Sequence, residues 1–257
     1  MKRWIAMLLA LVMVVSLAAC GSSETKETEA PKNTAAKETE AKTDAAEADM
    51  KGEAQAASGD SLNICLALLG DNIDLNDYEE PEAEEESVCI YHNDWLDYTA
   101  EAFDYTMTID GTTFTMGKTT YQEMMDKGWK ATANMPESAD AYNYYIPNCK
   151  KDSTQFAICL LNPNDSELPI EDTILTGITM EIQYGGSFDI SGIHENATVA
   201  DVIHAFGAPY YIYYSDTLGL ELSYQDEMDG ELSFTFDSTG AMTNVDYDFN
   251  NYNLVNN

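Results

Sequence analysis

Apolar and polar residues alternate along most of the second half of the chain. Because every second side chain of a strand points to the same face, this alternation predicts strands with one buried face. Turn sequences separate the last three strands, at Asp229-Gly230 and at residues 237–240. An antiparallel meander is therefore expected here. Its strands are residues 210–214, 218–224, 231–236 and 243–249.

Two other segments place their apolar residues at helical spacing. Each begins with a capping box, Thr120 with Glu123 in the first and Thr198 with Asp201 in the second. The sequence Gly207-Ala208-Pro209 ends the second helix by a left-handed glycine followed by proline. The apolar positions are Tyr121, Met124, Met125 and Trp129 in the first helix, and Val199, Val202, Ile203 and Phe206 in the second.

The preceding part of the chain repeats this order of elements. Residues 62–68 alternate Leu or Ile with smaller residues, which predicts a half-buried strand. Asp110-Gly111 is a hairpin turn between strands at 105–109 and 112–116. Further strands are predicted at 141–146, 155–161, 178–184 and 187–190.

Strand, helix and antiparallel strands, in this order twice over, indicate an α+β fold. The predicted architecture is two helix-on-antiparallel-sheet units, residues 61–185 and residues 186–257. A tandem repeat of one unit is the hypothesis that follows from the repeated order.

The second unit resembles a known group of small bacterial modules. Its residues 196–203, Asn-Ala-Thr-Val-Ala-Asp-Val-Ile, and the exit at 206–209 are similar to a helix of the small outer-membrane-protein-A and beta-lactamase-inhibitor-protein-like fold. The strand end at 236–240 is also similar. The resemblance implies helices on one face of an antiparallel sheet, in modules that bind proteins without catalysis. The first unit departs from it, because Trp129 stands in place of the proline exit.

The first nineteen residues have the pattern of a secretory signal peptide. Lys2 and Arg3 precede an uncharged apolar run, residues 4–19, which is short for a membrane-spanning helix. The run ends in Leu-Ala-Ala-Cys, which resembles the lipobox of bacterial lipoproteins. That resemblance implies a lipid on Cys20 and a mature protein anchored to the extracytoplasmic face of the cell membrane. The alternative is an ordinary signal peptide with an incidental cysteine.

Residues 20–60 have the composition of a disordered spacer. After Cys20 they contain no aromatic residue and no Val, Leu or Ile, so they cannot bury enough apolar surface to offset the entropy of ordering. The motif Lys-Glu-Thr-Glu-Ala occurs twice, at 26–30 and 37–41, as low-complexity sequence. As a flexible coil of about 40 residues, the spacer has a reach of roughly 35 Å between domain and lipid.

Composition adds a strong negative charge. The chain has 12 Lys and Arg against 46 Asp and Glu, a formal net charge of −34. Residues 61–257 hold 36 of these acids with 5 Lys and no Arg, so the charge belongs mainly to the folded part. A chain so acidic cannot neutralise phosphates, which excludes nucleic acid as a partner. A solvated surface explains the acidity; calcium binding and a partner of opposite charge are the alternatives.

The calcium candidate is residues 71–77, Asp-Asn-Ile-Asp-Leu-Asn-Asp, ahead of a run of glutamates. Read from Asn72, it departs from the EF-hand pattern at Asp77, where the turn glycine belongs, and at Ala83, where the bidentate glutamate belongs. We therefore assign no metal ligands and no cofactor.

No motif for catalysis is recognisable in the sequence. The three histidines are His92, His194 and His204; neither His194 nor His204 has a partner at metal-ligand spacing, and phosphate-loop and nucleophile-elbow patterns do not occur. Arginine is absent after Arg3, which removes the usual clamp for carboxylate or phosphate substrates. The chain is therefore predicted not to be an enzyme, with no catalytic residues; an envelope hydrolase that uses unassigned carboxylates is the alternative.

Four cysteines remain besides Cys20: Cys65, Cys89, Cys149 and Cys159. Outside the cytoplasm an even number allows two disulfides in any of three pairings. Buried reduced thiols that act as small hydrophobic side chains are the other alternative.

Tyrosine is concentrated just after each predicted helix. In an alternating strand Tyr211 and Tyr213 share one face, with Tyr210, Ile212 and Tyr214 on the other, and one of these sets belongs to the core. The exposed set is a candidate platform for a partner, with Tyr142 and Tyr144 as its counterpart in the first unit.

The predicted function is a lipid-anchored extracytoplasmic binding module for an envelope or extracellular protein. A role in binding a solute, a glycan or calcium is the alternative.

Overall fold

A computed structural model describes residues 61–84, 86–92, 103–226 and 230–249. The predicted signal peptide, Cys20, the spacer and the turn residue Asp229 lie outside these ranges. Strands take up 43% of the described chain and helices, including two 3-10 turns, 17%. The fold is thus a β-rich one, and the prediction of an α+β fold with two helix-on-antiparallel-sheet units is wrong.

Three α-helices and sixteen strands make up the described chain. The helices are α1 (Ser61–Leu69), α2 (Tyr121–Asp126) and α3 (Val199–Phe206). The strands are β1 (Glu82–Glu84), β2 (Ser87–Tyr91), β3 (Thr106–Ile109), β4 (Thr112–Thr115), β5 (Lys130–Ala131), β6 (Ser138–Ala139), β7 (Tyr144–Tyr145), β8 (Asn148–Lys151), β9 (Thr154–Leu161), β10 (Leu168–Pro169), β11 (Ile174–Glu181), β12 (Phe188–Asp189), β13 (Tyr211–Ser215), β14 (Gly219–Gln225), β15 (Glu231–Phe236) and β16 (Met242–Asp248).

Eleven of these strands form one antiparallel sheet. Its order is β1-β2-β13-β14-β15-β16-β11-β9-β8-β5, with β7 also paired to β9. The predicted meander, β13 to β16, is present and lies in the middle, because β2 pairs with β13 on one side and β11 pairs with β16 on the other. Strands from both predicted units therefore share one sheet, an arrangement that local alternation does not reveal.

A three-stranded sheet, β12-β3-β4, packs on one face of the large sheet. The predicted hairpin at Asp110-Gly111 joins β3 to β4. Phe114 of β4 contacts Phe156 of β9, with ring centroids 6.0 Å apart, and both rings meet Trp129. These aromatic contacts close one end of the hydrophobic core.

Helices α1 and α3, the two longer ones, cover the core face of the large sheet at the meander. Both predicted capping boxes form: Thr120 caps α2 with Glu123, and Thr198 caps α3 with Asp201. Phe206 at the end of α3 packs on Phe234 of β15, with ring centroids 5.5 Å apart. Among the described elements, the core therefore lies between this face, the helices and the small sheet.

Helix α1 corrects the sequence prediction, which made residues 62–68 a strand. Its buried residues are Ser61, Cys65 and Leu69, which are spaced by four and so lie on one side of a helix. Leucine and alanine favour helix, and Gly70, at φ +58°, ends it in the left-handed region. The alternation of Leu and Ile in this short run coincides with a helix that contacts β2, β13 and α3.

The four cysteines of the described chain are free thiols. Burial raises the pKa of both Cys65 and Cys149 to about 12. Cys149 lies opposite Phe156 on the core side of the large sheet, whereas Cys159 lies on the other side of the same strand pair. The four thiols are therefore separate, with Cys65 and Cys149 buried and Cys89 and Cys159 half-buried.

No helix in the described ranges is both long enough and apolar enough to cross a membrane.

Candidate binding face

The large sheet has a second face, opposite the core, whose central part is polar. Strict alternation places Leu222 and Phe234 in the core. The residues on either side of each of them in its strand lie on the other face. We call this surface the polar sheet face. It consists of Tyr211 and Tyr213 on β13, Glu221, Ser223 and Gln225 on β14, Glu231, Ser233 and Thr235 on β15, Asn244, Asp246 and Asp248 on β16, and Gly177, Thr179 and Glu181 on β11.

Strand register fixes which of these side chains are neighbours. Tyr211 pairs with Ser223, Ser223 with Ser233, and Ser233 with Asp246, so these four residues form one row across the strands. Thr179 continues the row on β11 and donates a hydrogen bond of 2.9 Å to Asp246 Oδ1. The row therefore runs from an aromatic ring, over two small hydroxyl residues, to a carboxylate.

Tyrosine rings occupy the β13 side of the polar sheet face. The rings of Tyr211 and Tyr213 are stacked, 6.3 Å apart and within 8° of parallel, and Tyr91 of β2 adds a ring 5.1 Å from Tyr211. Both β13 tyrosines are half-buried, whereas Ile212 and Tyr214 are in the core, so the predicted split of this strand is confirmed.

Tyr210 is the exception to that split. It was predicted to share a face with Ile212 and Tyr214, but its hydroxyl bonds Glu231 on the polar sheet face, and its ring lies 6.1 Å from that of Tyr211. Tyr210 precedes the first residue of β13, so strand alternation does not yet govern its direction.

Four carboxylates, on three successive strands, lie beside the tyrosines. Glu221 accepts a hydrogen bond of 3.0 Å from Ser223, next to the tyrosines. Glu231 and Asp248 are directly opposite each other on β15 and β16, and both side chains are exposed. Asp248 folds across β11, where a Cβ on Gly177 would collide with its Oδ1. A glycine at this position of β11 thus leaves room for the carboxylate.

Loss of hydration, followed by repulsion between neighbouring acids, raises the pKa values in this cluster. Loss of hydration raises the pKa of Glu231 to about 7, and repulsion from Asp246 and Glu221 acts in the same direction. The pKa values of Asp246 and Asp248 are raised as well, by loss of hydration first and by neighbouring carboxylates second. Solvent still reaches Glu231 and Asp248 and screens part of this repulsion. Glu231, Asp246 and Asp248 therefore bind protons more readily than free carboxylates do.

Other titratable groups lie around this cluster without adding a positive charge. Burial and the nearby Cys89 raise the pKa of Tyr211. The nearest lysine by register is Lys150 on β8, three strands from β16, a distance of about 14 Å at 4.8 Å per strand. The titratable neighbours by strand are Cys89 and Tyr91 on β2, Tyr210, Tyr211 and Tyr213 at β13, Glu181 on β11 and Cys159 on β9.

A cleft of about 770 Å³ adjoins the polar sheet face where the strands turn. Glu221, Thr235 and Asn244 belong to both surfaces, so the cleft continues the face toward the β13–β14 and β15–β16 turns. Asp216 and Asp237 at these turns add acidic groups to its wall. Asp237 also closes its own turn by accepting hydrogen bonds from the backbone of Thr239 and Ala241.

A second cavity, of about 800 Å³, lies between β12 and α3. It brings His194 and His204 together, which their spacing in the sequence did not predict. His194 Nδ1 lies 2.9 Å from the Phe188 carbonyl oxygen and 3.4 Å from Asp189 Oδ2. His204 is exposed on α3.

The structure separates the two predicted tyrosine pairs. Tyr142 and Tyr144 are 47% and 44% exposed, at or beside β7. β7 lies six strands from β13 in the sheet, about 29 Å at 4.8 Å per strand. The pairs therefore form separate surfaces, and only Tyr211 and Tyr213 are joined to further polar groups.

The calcium candidate of residues 71–77 has a local structural role. Asp74 caps a 3-10 turn, Leu75–Asp77, through hydrogen bonds of 3.0 and 2.6 Å from the backbone and side chain of Asn76. Across the described ranges, no group of three His, Cys, Asp or Glu residues has an arrangement that could hold a metal ion.

The carboxylates of the polar sheet face were not identified from the sequence. Strand alternation does place Glu221, Glu231, Asp246 and Asp248 opposite the core, but the same is true of many of the 36 acids in residues 61–257. Only the pairing of β14, β15 and β16 brings these four together. No family model, curated protein or solved structure matches the chain.

Proposed function

We propose that this protein is a bacterial lipoprotein, anchored through Cys20 to the extracytoplasmic face of the membrane, whose folded part is a non-catalytic binding module. The polar sheet face is its contact surface for a protein partner. The observation that carries this proposal is the stacked pair Tyr211 and Tyr213 beside four carboxylates on one continuous sheet surface. Tyrosine offers a large rigid contact area with a polar tip, and it is enriched at protein interfaces for that reason.

Several features favour binding over catalysis. The carboxylates lie on a broad open surface rather than around one point, and their hydrogen-bond partners are hydroxyl groups of the same sheet. The rigid strands hold the face without movement of a loop, which lowers the entropy cost of binding.

The anchor is tested by labelling cells with a radioactive fatty acid. The wild-type protein and the variant Cys89→Ser should both be labelled and stay with the membrane, whereas Cys20→Ser should lose the label and leave the membrane fraction. Cys89 is the control because its half-buried thiol lies in the folded part. Labelling of the Cys20→Ser protein would contradict the assignment of Cys20.

The contact surface is tested by a photo-crosslinking amino acid placed at position 213 in intact cells. We expect a crosslinked protein band from position 213 and none from position 118, because Lys118 is exposed and lies outside the polar sheet face. Position 142 tests the other predicted tyrosine pair. A crosslink from position 142 and none from 213 would move the contact surface to the β7 region and disprove the present assignment.

A further inference from the structure

The centre of the polar sheet face is a trough. Ser223 and Ser233 are small, and the taller side chains of Tyr211 and Asp246 stand on either side of them in the same row. Tyr211 and Asp246 are three strands apart, about 14 Å at 4.8 Å per strand. The trough therefore has an aromatic wall, a hydroxyl floor and an acidic wall.

One floor residue has an unused hydrogen-bonding group. Ser233 is only 8% exposed, and its hydroxyl has no hydrogen-bond partner in the part of the chain that the structure describes. By contrast, the hydroxyl of Ser223 bonds Glu221. Among the described residues Trp129 Nε1 is the only buried side-chain N or O atom without a partner, so solvent reaches the Ser233 oxygen, which is available to a group supplied from outside the chain.

The walls of the trough carry negative charge without a compensating cation. Glu221 lies on one side of the serine row, and Glu231 and Asp248 lie on the other. In the described ranges no lysine comes within 4.0 Å of any carboxylate. A positive group between these acids would be attracted by all of them, and it could also lie against the ring faces of Tyr211 and Tyr213.

We propose that the trough binds lysine or arginine side chains of a basic, extended segment of the protein partner. This inference rests on the proposed function and adds the chemistry of the partner. An ammonium or guanidinium group donates to Ser233 and to the carboxylates, while its aliphatic stem packs against the tyrosines. The acidic cleft at the strand turns continues the trough, so several cationic side chains of one segment are held at successive positions.

The test uses the full-length protein in detergent and a fluorescent octapeptide of alternating lysine and serine. Fluorescence anisotropy gives the Kd at about 150 mM salt, where surface charges farther apart than about 8 Å are largely screened. The face variant is Glu231→Gln with Asp248→Asn, and the matched control is Asp165→Asn with Asp172→Asn. The two variants are matched because each removes two exposed carboxylates.

We expect the face variant to weaken peptide binding by about tenfold and the control variant by less than about twofold. Ser233→Val, which fills the trough without changing the charge, should weaken binding as well. Equal weakening by the face and control variants would show attraction by net charge alone and overturn the proposal. Near-ultraviolet circular dichroism establishes that each variant is folded.

Competing ligands test whether a polypeptide is the occupant. Spermine and calcium are added to the preformed peptide complex. Displacement of the peptide only by a large excess of either supports a polypeptide site, because several contacts act together. Displacement at concentrations near that of the peptide would make the trough a site for a small cation and overturn the proposal.

The failure of this inference differs from failure of the proposed function. If position 213 is crosslinked in cells while the lysine peptide does not bind, the polar sheet face remains the contact surface and its partner is not basic. If position 213 gives no crosslink, the proposed contact surface itself is disproved.

Discussion

The two faces of the meander β13 to β16 are built by the same four strands and have opposite roles. On the core face, Leu222, Phe234 and Tyr247 are at most 1% exposed, and Phe234 packs on Phe206 of α3. The residues next to them in sequence lie on the polar sheet face. They are small hydroxyl residues and acids, and the acids repel one another. Along each strand, the residues that stabilise the fold therefore alternate with the residues proposed to bind the partner. A substitution at one position tests only one of these two roles.

Truncation on the core face has the largest expected effect. Phe234→Ala removes a ring that contacts Phe206 of α3 and leaves a cavity, which should lower the free energy of unfolding by about 3–5 kcal/mol. Its neighbour Thr235 lies on the polar side, and Thr235→Ala should cost less than about 1 kcal/mol. Urea denaturation of both variants measures the difference. Equal losses would show that the two faces do not divide the roles.

The pH dependence of stability tests the polar sheet face. The folded-state pKa values of Glu231, Asp246 and Asp248 are raised, so the folded protein binds more protons than the unfolded chain between about pH 4 and pH 8. Stability should therefore fall as the pH rises from 5 to 8. Loss of hydration is the larger cause of these raised pKa values and repulsion the smaller, and with solvent screening the expected loss of stability is about 1–2 kcal/mol in total.

Urea denaturation at pH 5 and pH 8 measures this change. The variant Glu231→Gln with Asp248→Asn lacks two of the acids and should show a smaller difference between the two pH values. The Asp165→Asn, Asp172→Asn variant should keep the wild-type difference. A stability that rises between pH 5 and pH 8 would contradict the repulsion at the polar sheet face.

The smallest expected effect is at the helix cap that supports the core face. Thr198 accepts a hydrogen bond from the Asp201 backbone nitrogen, and Thr198→Ala should lower the free energy of unfolding by about 1 kcal/mol. Thr217→Ala, in an exposed turn, should change it by less than about 0.5 kcal/mol. Thermal denaturation of both compares them; an unchanged Tm for Thr198→Ala would show that the cap contributes nothing.

The local elements of the second half followed from the sequence. Period-two alternation and turn residues placed β13 to β16, and the capping box placed α3, because short-range geometry determines these features. Residues 62–68 did not follow, since seven residues with apolar side chains at both strand and helix spacing fit either period. β2 was missed altogether, although its side chains alternate between half-buried and buried.

The arrangement of the sheet and most of the candidate site could not be predicted in this way. Whether β2 pairs with β13, and β11 with β16, depends on contacts between distant parts of the chain. The tyrosines of β13 were identified because they are clustered in sequence. The carboxylates were not, because Glu221, Glu231 and Asp246 become neighbours only after three strands have paired.

The central position of the meander has a consequence for folding kinetics. Tyr91 of β2 pairs with Tyr211 of β13, which lies 120 residues later in the chain. Closing so long a loop costs entropy before any pairing compensates for it, and folds dominated by such contacts fold slowly. In addition, β2 and β11 each lack one of their two neighbours until β13 and β16 have been synthesised. Formation of the large sheet is therefore expected to be a late and cooperative event.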